Sequence, residues 1–319
     1  MSVIILHHFD ASPFAEKLRL VFGLKDVTWR SVQAELIMPK PKLTALTGGY
    51  RKTPVMQIGA DIYCDSRLIA LELEKRYPEP TLFPDASRGV TLALSSWSDR
   101  DLHIASSGLA IGVNKHQFPA DLMRDREAYF GDFLDVKHLD ADIVHLTTQL
   151  RAHIDLLQQQ LADGRLFFFG DNVGLADFHA WVEIWTARMH VPQLGAMLDS
   201  FPQVNAWEAR VGAIGHGQRS EISAQEAHAI ARNHRPAPAE GVDSTDASGL
   251  MAGEVVEVTP DDYGRNPVVG RLVTLTTHQV ALERDDPIAG RVVVHFPRIG
   301  FRLRRAAAAY QGDAAWLPD

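Results

Sequence analysis

Three short stretches near the start of the chain hold residues whose types and spacing could do chemistry: Ser12-Pro13, Thr53-Pro54 and Asp65-Ser66. A serine before a proline at the head of an apolar periodicity is a helix N-cap, so Ser12 joins a hydroxyl donor to the positive end of a helix. That pairing stabilises an anion. A thiol is a poor nucleophile at neutral pH because its pKa lies above about 7, and those two features are what would hold it as thiolate. A cis bond before Pro54 would turn the backbone N–H and C=O of Thr53 outward, where an extended peptide can pair with them as with a sheet edge. Asp65-Ser66 stands at the start of a second helix. Taken singly, each of these is the kind of residue that merely caps a helix or makes a turn.

The elements that must position them are legible in the periodicity. Val3 to Leu6 is a short apolar run that reads as a buried strand, and a helix follows from Ser12-Pro13 with Phe14, Leu18, Val21 and Phe22 at helical spacing. Val27 to Val32 alternates like a second strand, and Pro39, Pro41 and Gly48-Gly49 break up the next stretch. Thr53 to Ile58 and Ala60 to Tyr63 form two short strands about a turn at Gly59, and a helix capped by Asp65 or Ser66 runs to Pro78. The order β-α-β-(irregular)-β-β-α over residues 1–80 suits a small mixed sheet covered by helices.

Residues 85–233 carry an almost wholly helical pattern, with long runs at Leu92 to Val113, Ile143 to Leu161 and Leu175 to Met189, and a loop or short-helix insertion from Lys115 to Asp142. Leu166 to Phe169 is ambiguous between strand and helix. Residues 234–250, rich in proline and small side chains, read as a linker. Over residues 251–306 the period switches to two: Glu254 to Val258, Val268 to Thr276, Val280 to Arg284, Val292 to Phe296 and Phe301 to Leu303 alternate as strands. These strands predict a small β-rich domain, a barrel or sandwich too small to be more than marginal alone and therefore docked on the rest, with residues 307–319 as a tail.

The order and spacing of Ser12-Pro13-Phe14-Ala15-Glu16-Lys17, Arg51-Lys52-Thr53-Pro54-Val55 and Asp65-Ser66-Arg67-Leu68-Ile69 resemble the N-terminal domain of the glutathione S-transferase superfamily. Gly174-Leu175-Ala176-Asp177 is similar to the capping motif of that family's helical domain, so the resemblance covers residues 1 to about 230. It implies an α/β thioredoxin-like N-terminal domain plus an all-α helical domain, here followed by a small all-β C-terminal domain. It implies glutathione as co-substrate, with Ser12 activating the thiol, Thr53 and Pro54 holding the cysteinyl backbone, and Asp65 with Ser66 receiving the γ-glutamyl ammonium and carboxylate. Transfer of the thiolate to a small electrophilic apolar molecule, as in detoxification, and a homodimer are further implications. The same fold also serves non-catalytic binding or scaffold proteins and glutathione-dependent isomerases and reductases. No tyrosine occupies the first turn and no cysteine position 12, so the tyrosine-dependent classes and disulfide exchange fit poorly. Gly174 departs from the family's usual capping Ser or Thr.

Other features argue by exclusion. The 319 residues, 46% apolar with a formal net charge of −8 and a pI near 5.9, offer no basic patch for nucleic acid or an anionic membrane surface. Cys64 is the single cysteine, so no intramolecular disulfide forms and its place beside a strand end suits packing. The fourteen histidines make no metal-binding pattern, and no metal is expected. Without a signal-like start or a membrane-length apolar run, a cytoplasmic setting is expected. Trp97, Asp99, Arg100 and His103 lie on the first long helix, where core or interface roles compete with a place at the second substrate.

Overall fold

The computed structural model describes residues 3–306; the tail expected at 307–319 lies outside them. The described residues divide into a sheet unit, residues 3–15, 28–71 and 219–306, and a helical unit, residues 16–27 and 72–218. The thioredoxin-like domain, the helical domain and the β-rich C-terminal region expected from sequence are all present.

In the sheet unit, β1 (Ile4–His8) pairs parallel with β2 (Thr28–Gln33) and antiparallel with β3 (Val55–Ile58), which pairs antiparallel with β4 (Asp61–Cys64). All five residues of β1 and all four of β3 and β4 are buried, the mark of central strands covered on both faces. Between β1 and β2 runs α1 (Pro13–Leu24); α2 (Pro41–Thr47) ends at Gly48 in the left-handed conformation, and α3 (Ser66–Arg76) follows β4.

The C-terminal strands join this sheet. β7 (Val255–Pro260), β8 (Val268–Leu275), β9 (Gln279–Asp286), β10 (Gly290–Pro297) and β11 (Phe301–Arg305) form a mostly antiparallel run, and β10 pairs parallel with β4, Val293 opposite Asp61 and His295 opposite Tyr63. The strand order is therefore β11-β7-β8-β9-β10-β4-β3-β1-β2-β5, with β5 (Gln218–Glu221) at the far edge and β6 (Gly241–Val242) beside β8. The region docks through backbone pairing, and its core is shared: Val55, Ile62 and Cys64 pack in one cluster with Val256, Leu272, Leu282, Val294 and Phe296. A polar chain seals the junction. Asp61 accepts from His295 Nε2 at 2.9 Å and from the Ala237 N–H at 2.8 Å, while Gln279 Nε2 lies 2.9 Å from His295 Nδ1 and the His295 ring stacks on Tyr63. The stretch between the helices and these strands is held along its length, at Ala237, at Glu240 whose N–H donates to Thr274 Oγ1, and by the buried Leu250.

The helical unit contains α4 (Arg88–Trp97), α5 (His103–Asn114), α6 (Ala120–Phe130), α7 (Leu139–Gln160), α8 (Leu175–His190), α9 (Gly195–Asp199) and α10 (Pro202–Gly212). The run expected to be one helix from Leu92 to Val113 is interrupted by a π-helical turn at Ser98–Leu102. Lys115 to Asp142 holds α6 between two single 3₁₀ turns and runs into the start of α7, and Leu166 to Phe169 contributes a single bridge, Phe167 to Gly170. A Cβ on Gly112 of α5 would lie 3.2 Å from the Leu139 backbone oxygen, so the small residue permits close approach of α5 and α7. α11 (Ala224–Asn233), capped by Ser223 and Glu226, returns the chain to the sheet unit.

Candidate functional site

Ser12, Thr53-Pro54 and Asp65-Ser66 all belong to the sheet unit. Ser12 sits at the end of the loop leaving β1 and caps α1: its Oγ accepts the Ala15 N–H at 3.3 Å and its own N–H donates to the Phe9 carbonyl at 3.1 Å. The side chain is buried at 3% exposure, and among the described residues its hydroxyl proton is not committed to an acceptor. A donor of that kind, backed by a helix of twelve residues, suits a sulfur anion.

The Thr53-Pro54 bond is cis, and Pro54 leads directly into β3. β4 ends at Cys64, and the next residue, Asp65, adopts φ 77°, a left-handed conformation that aspartate tolerates better than most side chains. Its Oδ1 accepts the Arg67 N–H at 2.8 Å and its carbonyl accepts the Ile69 N–H at 3.0 Å, so Asp65 caps α3 while Ser66, buried, begins it. A strained, partly exposed carboxylate beside a hydroxyl at a helix start can take an ammonium on the acid and a carboxylate on the N–H groups.

Lys52, next to Thr53, lies within the Arg51 to Val55 stretch, where the sequence assigns it no role. It is buried, its Nζ donates to Asp262 Oδ1 at 2.5 Å, and it lies 4.1 Å from the centroid of the Tyr263 ring. Burial lowers its pKa below the ordinary lysine value, and Asp262, Asp65 and Asp261 each oppose that shift. Asp262 lies 210 residues away, so no local spacing announces the pair. Cys64 is fully buried, and burial with the neighbouring Asp65 raises its pKa well above the ordinary thiol value, the condition of an inert packing residue.

In the helical unit, three of the four residues weighed on the first long helix, Asp99, His103 and Trp97, have specific partners. Asp99, in the π-helical turn, accepts from Lys17 Nζ at 3.0 and 3.2 Å and lies 2.8 Å from His179 Nδ1. Burial pushes the Asp99 carboxyl up, but His179 and Lys17 outweigh it and hold it well below the usual carboxylate range. His103 lies 3.1 Å from Glu183, which also accepts the Ser106 hydroxyl. These are buried ion and hydrogen-bond networks between helices. Trp97 packs edge-on against His153.

The Gly174 departure has a steric cause. A Cβ there would fall 2.7 Å from Pro84 Cδ and 3.0 Å from the Leu82 carbonyl oxygen, which accepts the Leu175 N–H at 2.9 Å. The cap is supplied by Asp177, which accepts the Gly174 N–H at 2.9 Å, the Phe168 N–H at 3.0 Å and Trp207 Nε1 at 2.8 Å. Among the described residues no cluster of three or more His, Cys, Asp or Glu is placed to hold a metal ion, and no helix is long and apolar enough to cross a membrane.

Residues 6–81 match the family model for the glutathione S-transferase N-terminal domain, and residues 125–210 that for the C-terminal domain. Among solved structures, a GST-like protein from Pseudomonas syringae is 37% identical, covering 96% of this chain and 100% of that one with a TM-score of 0.78. At that coverage the similarity extends through the C-terminal strands. FzlA from C. crescentus, at 21% identity, and poplar glutathione transferase F1, at 15%, each cover 66% of this chain and 87% and 93% of their own, with TM-scores of 0.51 and 0.53. These two share the fold. No curated protein matches the chain.

Proposed function

The chain belongs to the glutathione S-transferase superfamily, and from that membership we propose that it binds glutathione through the sheet unit and adds its thiolate to an electrophilic, apolar small molecule. Ser12 donates its hydroxyl to the sulfur, with the N-terminus of α1 adding its dipole. Thr53, ahead of the cis Pro54, pairs with the cysteinyl backbone, Asp65 takes the γ-glutamyl ammonium, and Ser66 with the α3 N-terminus takes the carboxylate. The supporting observation is that one unit carries all three: a buried cap hydroxyl with its proton uncommitted, a cis peptide at a strand start, and a left-handed acid before a helix.

The chemistry asked of the protein is thiolate stabilisation. The thiol proton leaves to solvent or a base and the sulfur lone pair forms the new bond to carbon; the displaced pair departs with the leaving group in a substitution or, in an addition, moves from the π bond onto the neighbouring atom, which takes up a proton. We place the reaction in the cytoplasm and the protein in a homodimer, as is usual in the superfamily. A monomeric mass in solution would overturn the dimer.

Titration with glutathione by calorimetry, in wild type and Asp65→Ala, tests the binding. Saturable binding should weaken by about 30-fold when the charge-assisted contact is removed. The thiolate absorbance of the bound ligand should fall in Ser12→Ala. An absence of binding at millimolar glutathione would overturn the reading.

A further inference from the structure

Lys52 is a buried ammonium beside the Thr53-Pro54 turn, and its charge is already answered from within the chain. Asp262 lies 2.5 Å from it, in the connection between β7 and β8, and the buried Tyr263 ring supports the ammonium face at 4.1 Å. Asp262 itself is partly exposed, with 40% of its side chain accessible. A buried cation holding a partly exposed carboxylate has the arrangement of a carboxylate-binding site filled by one of the chain's own acids. The pairing exists because the C-terminal strands join the sheet through β10 and β4, in the same unit as Lys52.

We propose that Asp262 occupies at Lys52 the place of a ligand carboxylate, so that the β7–β8 connection forms part of the thiol site and sets its preference among thiols by charge. The proposal rests on the glutathione reading above. An anionic thiol peptide must break the Lys52–Asp262 pair to bring a carboxylate to the ammonium. A thiol that is neutral or cationic at that end leaves the pair intact. Asp65 and Asp261 add negative potential at the same ammonium and act in the same direction. The site is thereby set against its most highly charged ligands, and two of the acids that set it, Asp261 and Asp262, lie outside the two domains that the family models match.

The test is a double-mutant cycle on the full-length protein, with glutathione as the probe and calorimetry as the readout. Asp262→Asn should bind glutathione about fivefold tighter than wild type, the size of effect expected from one partly screened charge. Lys52→Gln should bind more weakly. In the double variant the gain from Asp262→Asn should vanish, because without the ammonium there is no cation for the ligand carboxylate to claim. A purely structural Asp262 would alter melting temperature without this coupling. Equal gains from Asp262→Asn with and without the Lys52→Gln substitution, or no gain at all, would overturn the proposal while leaving glutathione binding intact. No glutathione binding by any of the four proteins would overturn the parent reading and this inference together.

Discussion

The two units bury polar groups in opposite ways. In the sheet unit the deepest ones are neutral: His7, on β1, meets Gln57 Oε1 at 2.9 Å, and Gln57 Nε2 donates to the carbonyls of Gly59 and Ala227. In the helical unit a charge is among them: Lys17, whose side chain is wholly buried, is held by Asp99, while Glu183 lies 3.1 Å from His103. Neighbouring strands already satisfy each other's backbone, so an amide and an imidazole suffice to tie β1 and β3 to α11. Helices spend most of their backbone N–H and C=O groups internally, so α1, α8 and the π-helical turn are joined chiefly through side chains, Lys17, Asp99 and His179 among them, beside one bond from Ser98 Oγ to the His179 carbonyl. A buried charge is tolerated only with its partner, whereas a neutral chain fails when one member becomes charged.

The largest expected effect breaks the ionic side of this contrast. Asp99→Ala leaves the Lys17 ammonium buried without its carboxylate and should destabilise the helical unit by about 3–5 kcal/mol, seen as a lower urea midpoint at unchanged slope. A loss below 1 kcal/mol would mean that Lys17 is rehydrated easily and that the network is not structural.

Acid should break the neutral side. Burial lowers the His7 pKa from 6.5 to about 4, with Gln57 raising it and His228 lowering it further. Between those values the unfolded chain binds a proton that the folded chain refuses, so stability is full above pH 6.5 and falls as pH drops toward 4, by about 3 kcal/mol in all. Denaturant unfolding at several pH values should show this slope in wild type and lose it in His7→Asn.

A third variant sharpens the comparison at a helix cap. Gly174→Ser restores the family's capping hydroxyl, which alone would stabilise by about 1 kcal/mol, but its Cβ meets Pro84 and Leu82. Overpacking of this kind costs about 1–3 kcal/mol, so the melting temperature should fall. A rise would show that the Pro84 ring yields. The smallest effect belongs to the sheet unit's partly exposed ion pair: Asp262→Asn should change stability by less than about 1 kcal/mol, in contrast to Asp99→Ala.

Local pattern made most elements legible. Alternation revealed β7 to β11 and 3.6-residue spacing revealed α7 and α8, because each depends on one face of one segment meeting the core. Ser12, Thr53-Pro54 and Asp65-Ser66 were legible as helix starts and a proline turn, because caps and turns are encoded within a few residues. The β10–β4 pairing was not: an apolar strand such as Val292 to Phe296 looks the same whichever strand it pairs with. The Lys52–Asp262 pair was hidden for the same reason. Asp99 and His103 were placed on the first long helix with core or interface roles among those weighed, but their partners Lys17, His179 and Glu183 lie about 80 residues away in sequence, beyond the reach of any periodicity. The π-helical turn had no signal in residue type, since Ser98 to Leu102 contains neither glycine nor proline.

The parallel register of Val293 with Asp61 also constrains the order in which the protein can be built. A ribosome completes β4 more than 220 residues before it reaches its neighbour in β10. Throughout that interval the nascent chain carries an open strand edge at Asp61–Cys64, and Val55, Ile62 and Cys64 await most of the apolar residues that cover them. A domain that leaves the ribosome long before β10 is thus among the last to be finished, and its closure is a contact of very long sequence separation, slow to form and exposed to mispairing until it does.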